Sequence, residues 1–195
     1  MKLIFATNNS HKISEIRAAL PSWFSIVTLE EAGIFTDIPE PHDTLEENAA
    51  EKARTIFALT GTDCFSEDTG LEVPALNNEP GVHSARYAGE ERSFQKNIEK
   101  LLAKLDGVED RQARFRTVIC LLLGNKEYFF EGICQGHIIS GQKGQEGFGY
   151  DPVFVPEGSD RTFAEMDMKE KNRFSHRKKA LDNLVVFLNN MDINQ

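Results

Sequence analysis

Apolar and polar positions change period several times along the chain, and each change marks an element. Lys2-Leu3-Ile4-Phe5-Ala6 is almost continuously apolar, as in a strand covered on both faces, and the run breaks at Thr7-Asn8-Asn9-Ser10-His11-Lys12. Ile13, Ile16 and Leu20 then recur at helical spacing until Pro21, which predicts a helix capped by Asn9 or Ser10. Residues 24–29 read as a second strand, and residues 33–42, with Pro39 and Pro41 on either side of Glu40, read as a loop. Thr44 and Glu47 have capping-box spacing. The helix they open turns Ala49, Ala53, Ile56 and Phe57 inward and closes at Gly61. Cys64 and Phe65 suit a buried strand with Glu67-Asp68-Thr69-Gly70 at its mouth.

The second half repeats the alternation with more strand. Residues 71–76 continue the sheet, Asn77-Asn78-Glu79-Pro80-Gly81 reads as a turn, and Ser84, Arg86 and Tyr87 fall on a loop. Phe94, Ile98, Leu101, Leu102 and Leu105 form a helical stripe, expected to be core, that ends at Gly107. Residues 113–123 and 128–140 read as a hairpin joined through Gly124-Asn125-Lys126-Glu127, so parallel and antiparallel strands are expected together. A glycine-rich stretch leads into Phe148-Gly149-Tyr150-Asp151-Pro152 and a short strand at 153–155. After Lys171, Ser175 is placed to cap a last helix with Leu181, Leu184, Val185 and Leu188 inward.

Composition narrows the class. A chain of 195 residues, 40% hydrophobic and 27% charged, reads as one globular domain that can bury about 70% of its unfolded surface without staples. Four apolar residues after Lys2 are too few for a signal core and no stretch reaches membrane-spanning length, so the expectation is a cytoplasmic protein with no membrane partner. Cys64, Cys120 and Cys134 are odd in number and far apart in apolar contexts, which argues for small buried hydrophobes over a zinc site. A net charge of −9 disfavours a nucleic-acid surface, so an anionic ligand needs a local positive pocket.

Three places carry candidate chemistry. Glu67 and Asp68 bring adjacent negative charge to a core strand, which is costly unless a cation offsets it; Mg2+, which takes carboxylate oxygens and completes its shell with waters and phosphates, is the natural candidate. The other reading is a solvated strand-to-turn junction. Residues 7–12 form a strand–turn–helix layout in which helix N–H groups and Lys12 can face a phosphate, or simply a capped helix start. They are not a Walker motif. At 147–151 the third glycine of a dinucleotide fingerprint is missing and a strand follows, which excludes that reading. Phe148 can stack on a planar base with Asp151 at its edge, or tuck into the core. Basic His176 and Arg177 in a first helical turn oppose the helix dipole and so point to a nearby anion or polar ligand.

Taken together, Thr7, Asn9 and Lys12, Glu47-Asn48-Ala49 with Lys52, Glu67-Asp68-Thr69-Gly70, Pro80-Gly81 with Ser84-Ala85-Arg86-Tyr87, Phe148-Gly149-Tyr150-Asp151-Pro152, and Lys171 with Ser175-His176-Arg177 resemble the inosine triphosphate pyrophosphatase family. The resemblance implies an α/β fold with a long mixed β-sheet flanked by helices, two lobes with a central nucleotide cleft, and a homodimer. It implies Mg2+-dependent hydrolysis of ITP, dITP or XTP to the monophosphate and pyrophosphate. By the same resemblance Asp68 is the metal-site residue and base, with Glu40 a second carboxylate and Glu67 a further one at hand. Thr7, Asn8, Asn9, Ser10, His11, Lys12 and Lys52 would hold the triphosphate. Thr69, Phe148, Gly149, Tyr150, Asp151, Lys171, His176 and Arg177 would bind the substrate and its base. Many bacterial members carry Asp-Asp-Ser-Gly where this chain has Glu67-Asp68-Thr69-Gly70, a change that keeps carboxylate and hydroxyl. Competing functions are a pyrophosphatase for other modified nucleotides and a non-catalytic nucleotide-binding regulator; adjacent carboxylates give a binder of polyanions nothing unless a metal is present.

Overall fold

The computed structural model describes residues 1–36 and 38–192. Its elements in chain order are β1 (Lys2–Phe5), α1 (Ser10–Ala19), β2 (Ser25–Thr28), α2 (Leu45–Thr60), β3 (Cys64–Val73), β4 (Glu79–Gly81), α3 (Phe94–Lys104), β5 (Gln112–Leu123), β6 (Lys126–Ile138), β7 (Phe154–Pro156), α4 (Met168–Lys171) and α5 (His176–Asp192). Single 3-10 turns occupy Pro74–Leu76, Ser84–Arg86 and Phe163–Glu165. The strands form a mixed sheet in the order β2-β1-β3-β5-β6-β7, with β4 paired to β3. β1 runs parallel to both β2 and β3, whereas β3–β4 and β6–β7 are antiparallel. The α/β expectation with a mixed sheet holds. No helix among the described residues is long and apolar enough to cross a membrane.

The chain forms two compact units. Unit 1 comprises Met1–Asp68, Thr117–Gly132 and His176–Gln195. One of its apolar clusters joins Phe5, Phe24, Phe65 and Leu121 to Leu181, Leu184 and Leu188 of α5. Phe5 and Phe65, in register on β1 and β3, stack with ring centroids 4.6 Å apart. A second cluster packs Ala49, Ala53 and Ile56 of α2 against Ile4, Cys64 and Cys120. Asn9 caps α1, and Thr44 caps α2, which ends at a left-handed Gly61 as its pattern predicts.

Unit 2 comprises Thr69–Arg116 and Ile133–Ser175, with a core of Leu71, Ile98, Leu101, Phe115, Phe154 and Phe163 among others. Three local expectations are corrected. The β3 strand does not end at its carboxylates but runs on to Val73, so Glu67 and Asp68 sit in mid-strand. Phe94 opens α3 at 40% exposure and meets the Phe148 ring instead of joining the buried stripe of Ile98 and Leu101. The β5–β6 turn is only Gly124-Asn125, both left-handed (φ 56° and 64°), the two-residue geometry whose twist matches a hairpin.

Candidate functional site

Two adjacent residues of β3 in unit 1 carry opposite fates. Glu67 is completely buried, and the Arg177 guanidinium Nε donates to its Oε2 at 2.8 Å and Oε1 at 3.0 Å. The Lys12 ammonium stands 3.1 Å from the same carboxylate. Arg177 Nη1 also donates to Glu15 of α1, which is itself buried. Burial alone pushes the Glu67 carboxyl up, but the Arg177 and Lys12 charges overcome it and bring it down to about 2. Because successive strand residues face opposite sides, Asp68 turns to another partner. Its Oδ1 accepts from Lys52 Nζ at 3.1 Å, and the same nitrogen donates to Glu40 Oε1 at 2.6 Å.

These contacts bring Glu40 and Asp68 together on one ammonium from positions 28 residues apart in sequence. For Lys52, burial opposes the charged form, yet Asp68 and Glu40 more than offset it and the group is held above its ordinary value. For Asp68, burial is the largest influence and Glu40 adds to it; against Lys52 and Lys12 they still leave the carboxyl raised. Glu15, Glu40, Glu67 and Asp68 thus face Lys12, Lys52 and Arg177, four carboxylates against three cations.

Lys12 brings residues 7–12 beside this cluster, and two of the first-turn amides expected to face a phosphate are bonded to Asn9. Asn9 Oδ1 accepts from the N–H groups of His11 and Lys12 at 3.0 and 3.2 Å, and the Asn9 N–H donates to Thr7 Oγ1 at 3.2 Å. Those donors close the helix cap locally, since an Asn N-cap satisfies the first-turn amides from within. Asn8 Nδ2 donates to the Thr36 carbonyl at 3.3 Å, and Ser10 opens α1.

In unit 2 the 147–151 stretch is a tight turn built on Asp151. The buried Asp151 Oδ2 accepts from the Phe148 N–H at 2.9 Å and from Lys171 Nζ at 2.6 Å. Lys171 lies 5.4 Å from the centroid of the Phe148 ring, and Phe148 also meets Phe94 with centroids 6.1 Å apart. Gly147 has φ +75°, and a Cβ there would stand 2.0 Å from Asp151 Oδ2, so only glycine admits the carboxylate. Tyr150 is core, its hydroxyl donating to the Ser84 carbonyl at 2.9 Å. Gly149 holds the turn's other left-handed position, at φ 62°. Thr69, the first residue of unit 2, follows Asp68 directly on β3.

His176 and Arg177 open α5 in unit 1, both buried. The anion that their position asks for is supplied to Arg177 by Glu67 and Glu15. Close approach of α5 to β6 depends on Gly132, where a Cβ would meet the His176 carbonyl at 2.0 Å. Sequence reasoning missed Glu15, which sits between Ser14 and Ile16 on a helix with no motif to flag it. It also gave Asn48 no task. Among the described residues no group of three or more His, Cys, Asp or Glu side chains gathers as a ready-made metal cage.

Known proteins are similar to this chain along nearly its whole length. The dITP/XTP pyrophosphatase of Flavobacterium psychrophilum is 49% identical over 190 residues, 97% of this chain and 100% of that protein. The dITP/XTP pyrophosphatase of Porphyromonas gingivalis is 52% identical over 188 residues, 96% of this chain and 97% of that protein. Among solved structures, the Staphylococcus aureus Ham1 protein superposes with a TM-score of 0.88 at 38% identity, covering 98% of this chain and 100% of that one. A HAM1 protein from Coxiella burnetii gives 0.88 at 36% identity, with 97% and 99% covered. The model of the Ham1 family matches residues 3–187, and the chain belongs to the Ham1 family.

Proposed function

We propose that this protein is a nucleoside triphosphate pyrophosphatase that takes non-standard purine nucleotides, dITP, ITP and XTP, and water to the monophosphate and pyrophosphate, with Mg2+ as cofactor. The convergence of Glu40 and Asp68 on Lys52 carries the reading, and relatives named dITP/XTP pyrophosphatase support the substrate class.

The donor set suits the cation. Two hard carboxylates from unlike elements meet at one point, and a site holding four carboxylates against three cations does not accept a triphosphate on its own charge. Glu40 and Asp68 are the residues proposed to hold Mg2+, with Glu67 committed to Arg177 and Lys12. Bound there, Mg2+ would neutralise phosphate oxygens and lower the pKa of a water. Asp68, held above the ordinary carboxylate range, would accept the proton of the attacking water. Lys12 and Lys52 would stabilise charge on the departing pyrophosphate, and residues 7–11 would hold the triphosphate through side chains.

In unit 2, residues 148–151 and Lys171 are assigned to the base, with Phe148 offering a ring face. In unit 1, His176 at the start of α5 is assigned to substrate binding, where a donor rewards the 6-oxo group of hypoxanthine or xanthine over the 6-amino group of adenine. Any contact from Arg177 would be made from within its carboxylate network. A homodimer and a cytoplasmic location belong to the same proposal. Pyrophosphate release from dITP, ITP, XTP, GTP, ATP and dTTP, each with and without Mg2+, tests it. Release led by a pyrimidine, or unaffected by metal removal, contradicts it.

A further inference from the structure

The Glu47-Asn48-Ala49 stretch of α2 lies under the segment that bears Glu40, and the mechanism above gives it no part. Asn48 is 0% exposed. Its Oδ1 accepts from the backbone N–H of His42 at 2.9 Å, and its Nδ2 donates to the carbonyl of the same residue at 3.0 Å. A carboxamide bonded at both ends to one residue acts as a strand partner does: it fixes the direction of the main chain as well as its distance.

On the other side of Glu40, Ile38 packs against the cluster that contains Ala49, Ala53 and Ile56. Glu40 is therefore held between two anchors, each two residues away: His42 on Asn48 of α2, and Ile38 on the apolar cluster that α2 shares with β1, β3 and β5. Pro39 and Pro41 lock φ at its neighbours and restrict the residues before them, so the segment between the anchors has little freedom. Lys52, one turn beyond Asn48 on the same helix face, receives the Glu40 carboxylate and that of Asp68. The Ser66 hydroxyl donates to the Ala49 carbonyl, which seats β3 on that same turn two residues before Asp68. One stretch of α2 thus sets both carboxylates.

We infer that Asn48 is a positioning residue for the divalent-cation site: it holds the main chain at His42 so that the Glu40 carboxylate meets Asp68. The inference rests on the metal-dependent reading above. Its consequence is that Asn48, which touches neither substrate nor metal, sets metal affinity.

The test is calorimetric titration with Mg2+ alone, joined to amide exchange at His42 and to the Mg2+ concentration giving half-maximal pyrophosphate release. Asn48→Ala should weaken Mg2+ binding by about tenfold or more, the usual effect of losing a partner that orients a ligand. Exchange at the His42 amide should quicken, while nucleotide KM at saturating Mg2+ moves less. Added to Glu40→Gln, Asn48→Ala should weaken Mg2+ binding no further, because both act through one carboxylate. His42→Pro deletes the N–H that Asn48 accepts without altering the helix interior, and should weaken binding in the same direction if Asn48→Ala does not fold. Ala58→Gly loosens the same helix at an exposed position away from His42 and Ile38 and serves as comparator. Unchanged Mg2+ affinity in Asn48→Ala or His42→Pro, an additive loss in the double variant, or an equal loss in Ala58→Gly overturns the role of Asn48. Wild-type protein that binds no Mg2+ overturns the metal reading and, with it, this inference.

Discussion

Arg177 and Glu67 are 110 residues apart in sequence, yet the guanidinium Nε donates to both oxygens of the fully buried carboxylate, at 2.8 and 3.0 Å. Removing one partner of such a pair leaves an uncompensated charge in the core. Arg177→Met should therefore cost about 3–5 kcal/mol of stability, read from urea unfolding, and Glu67→Gln placed on top of it should restore part of the loss. A cost below about 1 kcal/mol, the scale of an exposed pair, would mean that the network is not the buried one described.

The same pair sets a pH dependence. Burial raises the Glu67 carboxyl, but Arg177 and Lys12 overturn that and bring it from 4.5 to about 2. A folded value below the unfolded one gives stability that is complete above about 4.5 and lost as pH falls towards 2. Melting temperature followed from pH 7 downwards in chelator should fall less steeply for Glu67→Gln than for the wild type across that window. Parallel curves would remove Glu67 as a source of acid sensitivity.

Asp68→Asn keeps the size of the side chain and its contact with Lys52 but removes the acceptor charge. Turnover of XTP should drop by about 10²–10⁴-fold, the scale of a lost general base, with circular dichroism unchanged. Chelation of Mg2+ should bring the wild type to a similar level. Near-normal turnover would exclude Asp68 from the chemistry.

Gly147→Ala places a Cβ 2.0 Å from Asp151 Oδ2 and so displaces the carboxylate from the Phe148 N–H and from Lys171. If these residues hold the base, KM for XTP should rise by about tenfold, one charge-assisted hydrogen bond's worth, with a smaller change in kcat. A fall in kcat at constant KM would place the turn in the chemical step instead.

What could be read from the sequence was what is decided within a few residues. Asn9, Thr44 and Gly61 mark helix ends through bonds to nearby backbone, and the glycine and asparagine at 124–125 mark a hairpin, though one with a shorter turn than expected, so these elements were legible. Relationships set by packing were not. The pattern placed sheet on both sides of residues 67–70 but did not show that β3 runs through them unbroken to Val73, where it pairs with β4. Nothing local ties Glu15 to a guanidinium 162 residues later, or turns the first-turn basic charge of α5 towards the protein's own carboxylates. Asn48 stood inside a quoted motif without a role because its partner is a backbone, and backbones carry no sequence signature.

Unit 1 is assembled from three stretches of chain, the last beginning at His176. During synthesis the β3 segment leaves the ribosome with Lys12 already made but long before Arg177, the cation that donates to both Glu67 oxygens. Until then that carboxylate cannot be dehydrated cheaply, so the strand has reason to stay wet and the unit to stay open. Emergence of Arg177 removes that obstacle. On that account the guanidinium acts as a completion signal: burial of Glu67 on β3 becomes favourable once α5 has been made.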